Sequence, residues 1–191
     1  MKLIGIAGTN GSGKDTVGNL LADRHDFLFV SMTDMLREEL VRRGLPLDRK
    51  HMRELSAEWR RESGLGILID KALALYDKDK YAGLACASLR NPGEVDRVHE
   101  LDGIVIWIDA DPKVRYERIQ ASTAERGKLR AVDDQKTFEQ FLADEQAEMQ
   151  HSGDAATLST ADVKAKADIF IENNDNNIEV LARKIGGSLS L

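Results

Sequence analysis

The chain has 191 residues, 42% hydrophobic and 31% charged, which predicts one folded globular domain rather than a disordered or fibrous chain. With 33 Asp+Glu against 27 Lys+Arg its formal net charge is −6, which leaves no broad basic face for nucleic acid but permits a local basic pocket for a small anion. One cysteine, Cys86, excludes an internal disulfide, and no segment has the pattern of a signal peptide or a membrane span, so a cytoplasmic chain without a membrane partner is expected, as a monomer or a small homo-oligomer.

Lys2 to Ala7 is a short apolar run, as suits a strand covered on both faces. Glycines follow, then Thr16 to Arg24 with apolar residues at helical spacing. Phe27 to Val30 is a second strand candidate. Asp34 to Arg43 reads as a helix that stops at Gly44 and Pro46. Asp48 to Glu62 places Met52, Leu55 and Trp59 on one face of an amphipathic helix, and Ile67 to Tyr76 is another. Tyr81 to Ser88 is the third strand. Asn91-Pro92 is a helix cap followed by Pro at the first helical position, and Asp111-Pro112 repeats it after the strand Ile104 to Ile108. That last helix is predicted to run to about Gln120. The segment 122–134 is polar and basic, predicting a loop. Thr137 to Gln150 reads as a helix, 151–160 as a loop, Ile169 to Ile171 as a last strand, and Ile178 to Ile185 as a last helix ended by Gly186-Gly187.

Strands alternate with helices throughout. This predicts a three-layer α/β/α fold around a five-stranded, mainly parallel sheet, with ligands at the carboxyl ends of the strands. Residues 8–16 read Gly-Thr-Asn-Gly-Ser-Gly-Lys-Asp-Thr. Gly8, four residues, then Gly13-Lys14 is the Walker A spacing, between a buried strand and a helix. Gly8, Asn10, Gly11, Ser12 and Gly13 let backbone N–H groups curl around a phosphate, the helix start adds its positive dipole end, and Lys14 supplies a full charge. The residue after Lys14 is Asp15 where the pattern has Ser or Thr. A carboxylate there is favourable if Mg²⁺ lies between it and the phosphates, or if it only complements the helix N-terminus. Thr16 can donate to an α phosphate.

The second strand end, Ser31-Met32-Thr33-Asp34-Met35-Leu36-Arg37, resembles the Ser-Thr-Gly-Asp-Met-Leu-Arg motif of adenylate kinases and other nucleoside monophosphate kinases. The resemblance implies that Arg37 grips the acceptor's phosphate, with Asp34 beside it. Ser88-Leu89-Arg90-Asn91-Pro92-Gly93-Glu94-Val95 is similar to the Asp-x-Arg or Asp-Gly-x-Arg segment of phage deoxynucleoside monophosphate kinases and archaeal kinase-related ATPases, which implies that Arg90 is a second clamp. The strand-end aspartate of that segment is absent, and Ala87 or Ser88 stands in its place. The likeness continues through Ile106 to Ile119. It implies that Arg118 lies beside ATP, that a lid at 121–134 carries Arg126, Lys128 and Arg130, that residues 38–76 form a helical acceptor-binding insert, and that Asn173-Asn174 belongs to the adenine-contact loop. Arg53, Arg60 and Arg61 receive no role, and the four histidines show no metal spacing.

Together these readings predict an ATP- and Mg²⁺-dependent kinase acting on a small-molecule phosphate acceptor, such as a nucleoside monophosphate. A phosphate acceptor needs no general base, because its oxygen is already ionised. Two alternatives remain at this point. One is an alcohol-acceptor kinase resembling dephospho-coenzyme A kinase or shikimate kinase, with Asp34 as base. The other is a nucleotide-binding regulatory NTPase.

Overall fold

A computed structural model describes residues 1–126, 136–149 and 153–191, the side chains of 122–126 excepted. Five strands, β1 (Lys2–Gly8), β2 (Phe27–Ser31), β3 (Gly83–Leu89), β4 (Ile104–Asp109) and β5 (Ile169–Glu172), form one sheet in the order β2-β3-β1-β4-β5. Every pairing is parallel. Parallel strands need crossovers, and helices supply them: α1 (Lys14–His25), α2 (Met32–Arg42), α3 (Arg49–Ser63), α4 (Ile67–Leu73), α5 (Pro92–Glu100), α6 (Pro112–Arg126), α7 (Phe138–Met149), α8 (Thr160–Lys166) and α9 (Ile178–Leu189).

The apolar runs are buried on both faces because alternate residues feed two cores. Ile4, Ile6, Ala85, Ala87, Ile106 and Ile108 pack with Val17, Leu21, Leu181 and Ile185 of α1 and α9. Leu3, Leu84, Cys86, Val105 and Trp107 face the other way, onto a core that includes Leu40, Trp59, Val98 and Val163. The result is the three-layer α/β/α arrangement, with β1 central and flanked by β3 and β4.

Local chemistry sets the element ends. Ser31 caps α2, its side chain accepting from the Asp34 N–H, and Asp48 caps α3 by accepting from the His51 N–H. Asn91 and Glu94 form a capping box on α5, with Pro92 at its first position. Three elements differ from the sequence expectation. α6 continues to Arg126, through the first part of the segment expected as a loop. α8 was not anticipated: it has seven residues and Val163 as its one deeply buried apolar side chain, too short a run for periodicity to register. α9 passes through Gly186-Gly187 to Leu189, where Leu189 and Leu191 pack on the core and the Leu191 N–H bonds back to the Gly186 carbonyl, so core packing outweighs the glycine stop. Among the described residues no helix is long and apolar enough to cross a membrane.

Candidate functional site

The Gly8–Thr16 segment leaves the carboxyl end of β1 and opens α1. Two glycines are fixed by geometry. At Gly8 (φ 143°) a Cβ would press into the Ile108 carbonyl, and at Gly13 (φ 101°) it would lie 2.8 Å from Asn173 Nδ2. The loop closes on the Thr9 carbonyl, which accepts from Ser12 Oγ at 2.8 Å and Lys14 Nζ at 2.6 Å. Burial is the largest influence on the Lys14 ammonium. With Arg90 and Arg115 nearby it outweighs Asp15 and Glu148, and brings the pKa down to about 8.

Neighbouring elements brace the loop. Thr9 Oγ1 donates to Asp109 at the end of β4 at 2.7 Å. Burial pushes that carboxyl up, but hydrogen bonds from Thr9, Trp107 and the Ala110 N–H outweigh it and leave it lowered. Arg115 on α6 is 3% exposed, donates to the Ala110 and Asn10 carbonyls, and makes a two-pronged pair with Glu145 of α7, one prong at 2.9 Å. Arg115 was missed in the sequence. Its spacing of three from Arg118 puts both on one helix face and is the signal that could have found it.

Asn173 Nδ2 donates to the Ser12 carbonyl at 2.8 Å. Arg118 donates to the carbonyls of Asn173 and Asp175 and to the Asn176 side chain, holding the loop after β5, and burial lowers its pKa. Arg118, Asn173, Gly13 and Thr16 share a cleft of about 170 Å³. It adjoins a larger cavity of about 430 Å³ that runs from the loop, including Asp15 and Thr16, to α2, α3 and α7.

The far half of that cavity is rich in arginine. Arg37 lines it and bonds Asp34 at 2.7 Å; the Asp34 carboxylate is 61% exposed and is not among the lining residues. Arg90 lines it from just after β3. The resemblance left open which residue stands for the strand-end acid. Ser88 has φ 73°, where a glycine fits, and the β1–β3 register shifts there. That angle suits Ser88 to the glycine position of Asp-Gly-x-Arg, which would put the fully buried Ala87 at the position of the acid.

Arg49 and Arg53 of α3 also line the cavity, and with Arg90 they surround Glu148 of α7. Burial pushes the Glu148 carboxyl up, but Arg90, Arg49 and Arg53 overcome it and hold it at about 2. Sequence alone could not find this cluster, because its members lie 58 to 99 positions from Glu148. Arg60 is buried against Glu94, and Arg61 pairs with Asp154 at the surface. The lid expectation for Arg126, Lys128 and Arg130 falls on side chains outside the described ones.

No group of three or more His, Cys, Asp or Glu side chains among the described residues could hold a metal by itself. Asp15 lines the cavity beside Lys14 as one carboxylate. That donor set fits Mg²⁺ held mainly by phosphate oxygens and water, the usual arrangement for a nucleotide-borne ion.

Comparison with known proteins agrees with this architecture. Residues 4–148 match the AAA domain family. A UPF0200 protein of Pyrobaculum aerophilum is 30% identical over 97% of this chain and 95% of its own length. Another from Pyrococcus abyssi is 32% identical over 96% of each chain. Among solved structures, shikimate kinase from Bacteroides thetaiotaomicron superposes with a TM-score of 0.63 at 14% identity, over 99% of this chain and 98% of that one, which gives the P-loop kinase fold.

Proposed function

This chain belongs to the UPF0200 proteins and carries an AAA domain of the P-loop kinase-like kind, and from that premise we propose that it transfers the γ-phosphoryl group of ATP to a phosphate-bearing small molecule, a nucleoside monophosphate or a close relative of one. The observation that carries the reading is the continuity of one cavity from the phosphate loop to a wall of arginines, Arg37, Arg49, Arg53 and Arg90. A nucleotide-binding switch has no use for that second, anion-binding half.

The roles follow from placement. Backbone N–H groups of residues 11–16 and the N-terminus of α1 cradle the β phosphate, and Lys14 swings from the Thr9 carbonyl to the β and γ phosphates. Asp15 would hold Mg²⁺ together with the phosphate oxygens, and the ion would neutralise charge on the transferring group. Thr16 donates to the α phosphate. Arg118 and Asn173 shape the adenine side. Arg37, steadied by Asp34, and Arg90 orient the acceptor so that its phosphate oxygen attacks Pγ in line. The bond from Pγ to the bridging oxygen breaks, and ADP leaves with the electron pair.

No proton has to be taken from an ionised acceptor. Two described carboxylates near the acceptor half are poorly suited to act as a base. Glu148, the carboxylate among the cavity's arginines, is held at about 2, and Asp34 is exposed and bonded to Arg37. An alcohol acceptor would need such a base, so the geometry favours a phosphate.

A bisubstrate analogue joining adenosine to a second nucleoside through a polyphosphate tests the reading. It spans both halves of the cavity and is expected to bind on the order of 100-fold more tightly than ATP, as linked ligands do when both sites exist. Equal affinity for the analogue and ATP would contradict it.

A further inference from the structure

Ser88 is a buried polar side chain without a use in the unliganded protein. It is 9% exposed and lines the cavity together with Gly8, Thr9, Lys14 and Arg90. Its neighbours in the loop are occupied: Ser12 Oγ and Lys14 Nζ donate to the Thr9 carbonyl, and Thr9 Oγ1 donates to Asp109. The Ser88 hydroxyl makes no hydrogen bond to another described residue. No fully enclosed side-chain polar atom among the described residues lacks a partner, so the Ser88 oxygen is one that the cavity reaches.

Strand pairing explains how it comes to face the cavity. β1 and β3 stay in register up to Ile6 and Ala87, and the next pair is Ala7 and Leu89, so Ser88 is an extra residue in β3. Strict alternation would turn residue 88 into the core that holds Leu84 and Cys86. The bulge gives that place to Leu89 and leaves Ser88 outside both cores. The backbone takes a left-handed angle there, φ 73°, which glycine adopts freely and serine does not. The main chain beyond it is held from both sides: Glu94 accepts from the N–H groups of Arg90 and Asn91 at 2.8 and 3.1 Å, and the Arg90 carbonyl accepts from the Ser159 N–H at 3.0 Å. Strain persists where the surroundings fix it, and it gathers at sites of function. What serine adds at a position that suits glycine is a hydroxyl.

Placement says what that hydroxyl meets. Ser88 stands opposite the step from Ile6 to Ala7, immediately before the phosphate loop opens at Gly8, and two residues before Arg90. Arg90 is near enough to Lys14 to be, after burial, the largest influence lowering that ammonium's pKa. Space between two such cations collects phosphate, and a neutral hydroxyl there donates to an anionic oxygen without repelling it. We propose that Ser88 Oγ donates a hydrogen bond to an oxygen of the γ-phosphoryl group of ATP, which makes Ser88 a further catalytic residue. The proposal rests on the phosphotransferase reading for its ligand, and requires of it only that ATP fills the phosphate loop. The hydroxyl keeps its proton throughout, and it fixes the γ group between Lys14 and Arg90 before the acceptor attacks.

The test is calorimetric titration of the full chain with the Mg²⁺ complexes of a non-hydrolysable ATP analogue and of ADP, for the wild type, Ser88→Ala and Ser88→Gly. ADP lacks the γ group and reads the rest of the site. Each variant is expected to bind the analogue about tenfold more weakly or worse, the loss of one hydrogen bond to a charged oxygen, while ADP affinity stays within about twofold. A merely structural role would weaken both ligands together. An unchanged ratio of the two affinities, or an equal loss for both, overturns the proposal. Should Ser88→Ala not fold, Ser88→Gly decides alone, because glycine adopts the left-handed angle freely. The expected change of ratio without turnover of any acceptor would leave this contact standing and remove the kinase reading. Turnover of a monophosphate by the wild type with an unaltered ratio in both variants would do the reverse.

Discussion

Lys14 offers a prediction that reads the phosphate loop without waiting for turnover. In the unliganded protein its ammonium is buried and bonded to the Thr9 carbonyl, and its pKa falls from 10.5 to about 8. Phosphates arriving beside it favour the charged form and return the pKa toward its ordinary range. Nucleotide binding must then draw in protons: about half a proton at pH 8 and about 0.9 at pH 9, from the fraction of neutral Lys14 at each pH. Calorimetry of the ATP analogue in buffers of different ionisation enthalpy measures this number directly. Lys14→Arg, which stays charged throughout, should lose the uptake. The same shift has a sign for folding. Above about pH 8 the folded chain releases a proton that the unfolded chain keeps until about 10.4, so stability rises with pH across that window, by on the order of 3 kcal/mol. Uptake near zero at pH 9, or uptake that survives Lys14→Arg, would refute the assignment of that proton to this lysine.

The remaining predictions concern the supports of the site. Glu94→Gln leaves Arg60 buried without its counter-charge, and should cost about 3–5 kcal/mol and lower Tm by roughly 2–4 °C for each of them; a loss under about 1 kcal/mol in thermal or urea unfolding would contradict the packing described. At Ser88, with φ 73°, Ser88→Val should destabilise by at least about 1–2 kcal/mol because a β-branched side chain resists the left-handed region, while Ser88→Gly should not destabilise. Asp15→Asn should raise the Mg²⁺ concentration needed for half-maximal nucleotide affinity by about tenfold, through loss of a charged ligand; an unchanged Mg²⁺ dependence would leave Asp15 with only its place near the helix N-terminus.

The parts of the molecule legible in the sequence share a property: each is written in adjacent residues. The apolar runs of β1 and β4, the glycine spacing of the loop and the Asn91-Pro92 start of α5 are local codes, and the five parallel strands follow from their alternation with helices. Gly186-Gly187 shows where a local code is overruled, since the packing of Leu189 and Leu191 carries α9 through it. The loop residues, Arg37 and Arg90 could be singled out as candidates because their motifs are contiguous. Glu148 could not, because its meaning comes from Arg49, Arg53 and Arg90, brought to it by two other elements. Asp34 illustrates the limit from the other side. Its motif position suggests a base or a substrate contact, yet only the fold reveals that its carboxylate turns to Arg37 and the solvent. The choice between Ala87 and Ser88 likewise needed a backbone angle, which no residue type reports.

Phosphoryl transfer to a phosphate-bearing acceptor can be read in a coupled ADP-release assay. Mg²⁺-ATP is offered with AMP, CMP, UMP, GMP and their deoxy forms, with dephospho-coenzyme A as an alcohol acceptor, and with the Lys14→Ala protein as control. Turnover is expected with at least one monophosphate and disappears in the control. Turnover confined to dephospho-coenzyme A, or slow hydrolysis of ATP indifferent to every acceptor, would contradict it.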